Sequence, residues 1–250
     1  MSRIGVLGGM GPSATVDFME KIIQLTPATR DQEHLPVIVA NLPHVPDRSS
    51  AILGTGPDPL DALLAGIDVL NDAHVGVIAI PCNSSHHWYA QIAAHSRAPV
   101  IHIAQSCVAA IATQSDDRPV RVAVLATRGA LASGFYQQAL RERGIDFLVP
   151  DAATGQDHVD ACIRAVKGGD VRAGAAAFAH ALEALTATGA TAVIMGCTEL
   201  PIAAQAARAA QAARAAELTP LTLVDSSLEL ARATVAFALD KGWNKPAWVS

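Results

Sequence analysis

No run of apolar residues in this 250-residue chain approaches the roughly 18 needed to span a bilayer. The stretch after Met1 lacks the basic-then-apolar order and the small-residue cleavage site of a secretory signal. A membrane partner is excluded on that reading, and the expected location is the cytoplasm. No long basic tract interrupts a chain of formal net charge −5 and pI near 5.9, so the electrostatic footprint of a nucleic-acid binder is missing. The four cysteines, at 82, 107, 162 and 197, form no C-x-x-C pair, and the nine histidines show no H-x-x-x-H spacing. A disulfide framework and a zinc site both fall away, and no metal is assigned. Also absent is G-x-G-x-x-G. The first turn reads Gly8-Gly9-Met10-Gly11-Pro12, and no acidic residue closes a following strand at the distance a dinucleotide site requires.

What is present is a pattern of short apolar runs alternating with helical spacing. The hydrophobic fraction is 51%, mostly alanine and valine broken by charges and turns, which is enough for a large core in one or two domains. Arg3 to Leu7 reads as a buried strand, and a helix is expected from about Ser13 to Leu25. Leu35 to Asn41 reads as a second strand. A long Pro- and Gly-rich loop from Leu42 to Asp58 carries His44, Asp47 and Arg48. Helical spacing over Pro59 to Ala73 leads into a strand at Val75–Ile80. A helix over 86–95, a short strand at Pro99–Ile103 and a helix at Gln105–Gln114 follow, with Cys107 in the core. Ser115 to Pro119 is the best linker.

After that linker the pattern restarts. Arg121 to Ser133 lies over Arg3 to Thr15 without a gap, strand on strand and turn on turn. Cys197 lies 76 residues beyond Arg121, and Cys82 lies 79 beyond Arg3, so the chain reads as an internal duplication. The second half continues with helices near Leu131–Gly144, 156–167 and 170–188, and strands near Phe147–Val149, 191–195 and Leu221–Asp225. Residues 203–216, alanine-rich with Arg208 and Arg214, read as an exposed helix. The tail from Gly242, with Trp243 and Trp248, is either a loose end or a dimer contact. The expected fold class is α/β: two pseudo-symmetric domains, 1–117 and 118–225, each a parallel sheet flanked by helices. The helix at about 226–242 is expected to pack back on the first domain. Ligands belong at the carboxyl ends of the strands, so the active site is expected in the cleft between the domains.

Two cysteines in matched places give that site its chemistry. Pro81-Cys82-Asn83-Ser84-Ser85-His86 and Gly196-Cys197-Thr198-Glu199-Leu200-Pro201 each follow a strand and lead into a helix. A helix start favours anions, so it lowers a thiol's pKa from its free value of about 8.5. A lone cysteine there is usually a small buried hydrophobe, but a matched pair points to one site. One thiolate and one thiol on opposite faces of an amino acid's Cα supply the base and the acid that inversion needs, without a cofactor. Asn83, Ser84, Ser85 and Thr198 are placed to hold the carboxylate on which charge develops.

The Gly-Gly-Met-Gly-Pro turn with Ala14-Thr15, Asp47-Arg48, the first cysteine motif and the second together resemble the aspartate/glutamate racemase family, in its aspartate racemase branch. That resemblance implies cofactor-independent racemisation of a small amino-acid substrate by a homodimer, with Cys82 and Cys197 as the two acid/base residues. It also implies Arg48, assisted by Lys167 of Val166-Lys167-Gly168, as the cation for the side-chain carboxylate. Asn83, Ser84 and Thr198 become carboxylate binders, and Met10 and Thr15 line the site. On the residues themselves His86 reads as a support that orients the thiol or packs near the helix start, and Glu199 as a cap of its helix, a group that orients Thr198 or one that exchanges protons. The family's Asn-Thr-Ala-His is here Asn83-Ser84-Ser85-His86, which keeps a hydroxyl, loses a methyl and alters the shape of the site. His87, Trp88 and Tyr89 read as packing or dimer contacts. Three functions stay open: an acidic or broader amino-acid racemase, a related isomerase or decarboxylase such as a maleate isomerase, and a non-catalytic carboxylate binder.

Overall fold

The computed structural model describes residues 2–114, 120–151, 155–212 and 221–245. The proposed linker at 115–119, the end of the alanine-rich stretch and Trp248 lie outside them. The chain divides into two compact units, Met1–Ser106 with Ser227–Ser250, and Cys107–Ser226. Among the described residues no helix is long and apolar enough to cross a membrane.

The first unit holds a parallel sheet in the order β2-β1-β3, with β1 at Ile4–Gly8, β2 at Val37–Asn41 and β3 at Val77–Ala79. β1 is buried along its whole length, as a central strand covered on both faces must be, whereas edge strand β2 is largely half-buried or exposed. Helix Pro12–Leu25 starts with proline at its first position, where the missing N–H costs nothing. It buries Ala14, Thr15, Phe18 and Ile22 on one face. The strand expected at Pro99–Ile103 is a single bridge, Val100 to Ile78. Pro99 can only accept, from Ile78 N–H, and a helix begins at Ile103, so nothing is left to extend the ladder.

The second unit holds a parallel sheet in the order β5-β4-β6-β7. Its strands are β4 at Arg121–Ala126, β5 at Asp146–Leu148, β6 at Ala192–Gly196 and β7 at Thr222–Asp225. The duplication is visible here: β1 and β4, whose sequences align, are each paired on one side by the strand that follows them and on the other by the strand that leads to a cysteine.

Two expectations are corrected and one open alternative, at Trp243, is narrowed. The helix expected over 131–144 is two, Arg128–Ser133 and Phe135–Glu142, because Gly134 at φ 75° closes the first in the left-handed conformation. Helix Glu199–Ala212 is not an exposed surface helix: Ala203, Ala204 and Ala207 are buried against helices Gln156–Lys167 and Val171–Leu185, where small side chains allow close approach. Trp243 is no loose end, since its ring lies 5.8 Å from that of Phe237 and covers Gly76, where a Cβ would come within 2.5 Å of it.

Candidate active site

In the first unit the turn after β1 has no room for a side chain at Gly8 or Gly9. A Cβ on Gly8 would meet Thr15 Cγ2 at 2.4 Å, and Gly9 sits at φ 96° against the backbone of Leu42. Thr15 Oγ1 accepts from Gly9 N–H at 2.8 Å and donates to Gly11 O at 3.2 Å, which ties the turn to the following helix. Met10 is the node of this region. Its sulfur accepts from Ser85 Oγ at 3.3 Å, and its carbonyl accepts from Arg48 Nη2 at 3.2 Å.

Arg48 is not in an open loop. It is the first residue of a short helix, Arg48–Ile52, capped by Asp47 Oδ1, which accepts from Ser50 N–H at 2.7 Å. Arg48 Nη1 donates to the carbonyls of Val45 and Pro46 at 3.1 and 3.0 Å. The guanidinium therefore joins the 45–48 segment to the turn after β1.

Cys82 lies three residues past β3 and is buried, as are Asn83 and Ser84. The segment after it opens as a 3₁₀ turn, Ser84–Trp88, and becomes an α-helix only at Tyr89–His95. His86 Nδ1 lies 3.0 Å from Cys82 O, and because a carbonyl only accepts, Nδ1 carries the proton. The ring packs beside His102, with centroids 5.1 Å apart, and Tyr89. Burial, with the neighbouring His102, lowers the His86 pKa to about 3 against hydrogen bonds to the backbone of Cys82, Ile101 and Asn83 that favour the charged ring. His86 is thus a neutral brace for the Cys82 backbone.

A depressed folded pKa gives the native state stability that is complete above the unfolded value near 6.5. It is lost as pH falls from there toward about 3. His86→Gln, which keeps a donor without the titration, is expected to flatten the fall of melting temperature between pH 6.5 and 4. An unchanged acid limb would show that other groups dominate it.

In the second unit β6 delivers Cys197 directly. Gly196 leaves little room for a side chain, because a Cβ there would lie 3.0 Å from both Ala126 Cβ and Tyr136 Cε2 and would push them aside. Cys197 is buried, and its thiol donates to Glu199 Oε2 at 2.8 Å; Thr198 Oγ1 donates to the same oxygen at 3.2 Å. Glu199 is the first residue of helix Glu199–Ala212, where a carboxylate is favoured by the helix dipole. The expectation of a lowered thiol pKa is overturned here. Burial pushes the Cys197 thiol well up, the Glu199 carboxylate adds to this, and the Lys167 ammonium only partly opposes it. Burial together with the nearby carboxylate therefore keeps Cys197 at rest as a thiol.

Tyr136 gave no signal in the sequence. It is fully buried, its ring lies against Gly196, and its hydroxyl is 3.9 Å from Cys107 Sγ and bonded to Ser226, which itself donates to Met195 O at 2.8 Å. These contacts hold the carboxyl end of β6 and hence Cys197. Cys162, pushed up to about 12 by burial and by Glu199, and Cys107 are core thiols. No three His, Cys, Asp or Glu side chains converge to hold a metal among the described residues.

The first unit therefore links Met10, Arg48 and Ser85 by hydrogen bonds, ties the same turn to Thr15 through Gly9 and Gly11, and puts Asn83, Ser84 and His86 beside Cys82. The second joins Cys197, Thr198 and Glu199 through shared hydrogen bonds, with Lys167 close enough to act on the thiol.

The model of the family described as Asp/Glu/hydantoin racemase matches residues 7–234. The chain is 27% identical, over 93% of its length and 96% of the relative's, to the broad specificity amino-acid racemase RacX of Bacillus subtilis. It is similar to the solved structure of the Picrophilus torridus aspartate racemase, with 26% identity, TM-score 0.80 and coverage of 95% and 94% of the two chains. An aspartate racemase homologue from Pyrococcus horikoshii shares the fold at TM-score 0.72 and 19% identity, over 96% of this chain and 100% of that one.

Proposed function

The chain belongs to the Asp/Glu/hydantoin racemase family, and from that premise we propose that it racemises an acidic amino acid, aspartate before glutamate, by proton transfer between Cys82 and Cys197. The observation that carries this reading is the matched placement of the two thiols, each buried just past the strand, β3 or β6, that pairs with the first strand of its sheet in chain order, β1 or β4. One thiolate removes the α-proton from one face of Cα, and the other thiol returns a proton to the opposite face. The roles exchange when the other enantiomer binds. Both proton steps are assigned to side chains of the chain, so the reading requires no cofactor.

On this reading Cys197, a thiol at rest, is the proton donor in one direction. Glu199, 2.8 Å from its sulfur, takes the thiol proton when Cys197 must act as base. Asn83, Ser84 and Thr198 stabilise the carboxylate as it gains charge toward the enediolate. Arg48 and Lys167 hold the distal carboxylate, with Met10, Thr15, Ser85 and His86 fixing the frame around them. The same reading gives a cytoplasmic homodimer.

A broad-specificity racemase is the second reading. It is favoured by the Bacillus subtilis relative, and by the Arg48 guanidinium, which already donates to three backbone carbonyls. A one-cysteine decarboxylase is disfavoured by the second thiol. Proton NMR in D2O without added cofactor, with aspartate, glutamate and neutral amino acids in separate tubes, separates these. Loss of the α-proton signal confined to the dicarboxylic amino acids is the expected result. Equal exchange of neutral ones moves the assignment to broad specificity, and no exchange in any tube rejects racemisation.

A further inference from the structure

Gln156 opens helix Gln156–Lys167 and is 3% exposed. Its Nε2 donates to Ala126 O at 3.0 Å and to Asp160 Oδ1 at 2.8 Å. Both partners are acceptors, which assigns the amide orientation: the nitrogen faces them and the oxygen faces away. Asp160 is itself fixed, through Oδ2, by Arg128 Nε at 2.6 Å, and the other end of that guanidinium donates to Asp157 Oδ1 at 2.7 Å. The amide is locked by a chain of three side chains. Gln156 Oε1 is nevertheless buried and accepts no hydrogen bond among the described residues. A buried carbonyl oxygen without a donor is costly, and native proteins keep few of them.

Its position gives that oxygen a use. Ala126 is the last residue of β4 and the register partner of Gly196, one strand spacing of about 4.8 Å away, and Cys197 follows Gly196 directly. The same helix brings Cys162 against Glu199 and ends in Lys167, which acts on the Cys197 thiol. Helix Gln156–Lys167 therefore borders the end of the sheet where Cys197 stands, with an acceptor at its first residue and a cation at its last. Because the Arg128 guanidinium neutralises Asp160, the selectivity comes from the amide oxygen itself, which can only accept and so suits an N–H donor and not a carboxylate. We infer that Gln156 Oε1 accepts from the α-ammonium of the amino acid bound at Cys197, and that Asp160 and Arg128 position it by locking the amide. The inference rests on the racemase reading and adds to it a subsite for the ammonium.

Calorimetric titration with aspartate and with succinate, which has both carboxylates and no ammonium, tests it. In Gln156→Met the aspartate Kd is expected to rise about 10-fold or more, the size of one hydrogen bond to a charged group, while that of succinate stays within about twofold. Asp160→Asn, which leaves Gln156 in place but lets its amide turn over, is expected to weaken aspartate alone and by less. Equal weakening of both ligands in Gln156→Met would make the amide a purely structural clamp and overturn the inference. An unmodified chain that binds neither overturns the inference and the acidic-substrate reading together. Because binding is read without turnover, a chain that binds aspartate but leaves its α-proton in place refutes racemisation and not the ammonium subsite.

Discussion

Cys82→Ser and Cys197→Ser, each made alone, are expected to lose racemisation by roughly 10³-fold or more, at the upper end of what a single acid/base group contributes. Inversion needs a proton removed from one face and delivered to the other, so neither thiol can cover for its partner. The exchange of sulfur for oxygen is small in volume and leaves the folded state in place. At 197 a serine hydroxyl retains a donor for Glu199, which now accepts the thiol proton at 2.8 Å. The hydroxyl is, however, too weak an acid and its anion too costly to take either role at neutral pH. Melting temperatures within a few degrees of the unmodified chain would show that the loss is chemical. Activity within about tenfold of the unmodified chain in either variant would remove that cysteine from the reaction.

Glu199→Gln is expected to move two properties of Cys197 in opposite directions. The carboxylate raises the thiol pKa, both by its charge and by accepting the thiol proton. Its neutral amide lowers that pKa, so alkylation of Cys197 by iodoacetamide at pH 8, followed by mass spectrometry of the labelled peptide, should quicken. Racemisation should fall by roughly 10²-fold, because the group that takes the thiol proton has gone. The sign follows from the direction of the shift: burial first and Glu199 second raise the thiol pKa and keep Cys197 protonated at neutral pH, and removing the Glu199 part moves thiolate formation to lower pH while the effect of burial stays. A variant in which alkylation slows along with racemisation would mean that Glu199 only holds the helix start in shape.

The parts of this account that were legible in the sequence are those fixed by short-range pattern. β1 and β4 are unbroken apolar runs that align residue by residue, and both cysteine motifs follow such a run, so the parallel sheets and the placement of Cys82 and Cys197 at strand ends could be read directly. What escaped depends on partners distant in the chain. Arg48 reads as part of a long loop, and its tie to the turn after β1 appears only when Met10, 38 positions earlier, is seen to accept from it. The alanines at 203, 204 and 207 look like surface filler because alanine has high helix propensity anywhere, and only the helices packed over them make them core.

The direction of the Cys197 shift was missed for a related reason. The helix start predicts a stabilised thiolate, but burial of Cys197 and then the Glu199 carboxylate two residues on oppose ionisation of the thiol. Gln156 carries no motif at all. Its importance lies in one unpaired oxygen and the register of β4 on β6, which only the assembled sheet reveals.

The most direct test of the two-thiol mechanism is the fate of deuterium in the first few per cent of reaction, with L-aspartate in D2O. Two separate acid/base groups predict that the D-aspartate formed carries deuterium at Cα while the recovered L-aspartate still carries its proton. Deuterium appearing equally early in both enantiomers would contradict the account, because it would mean that a single group removes the proton and returns it to either face.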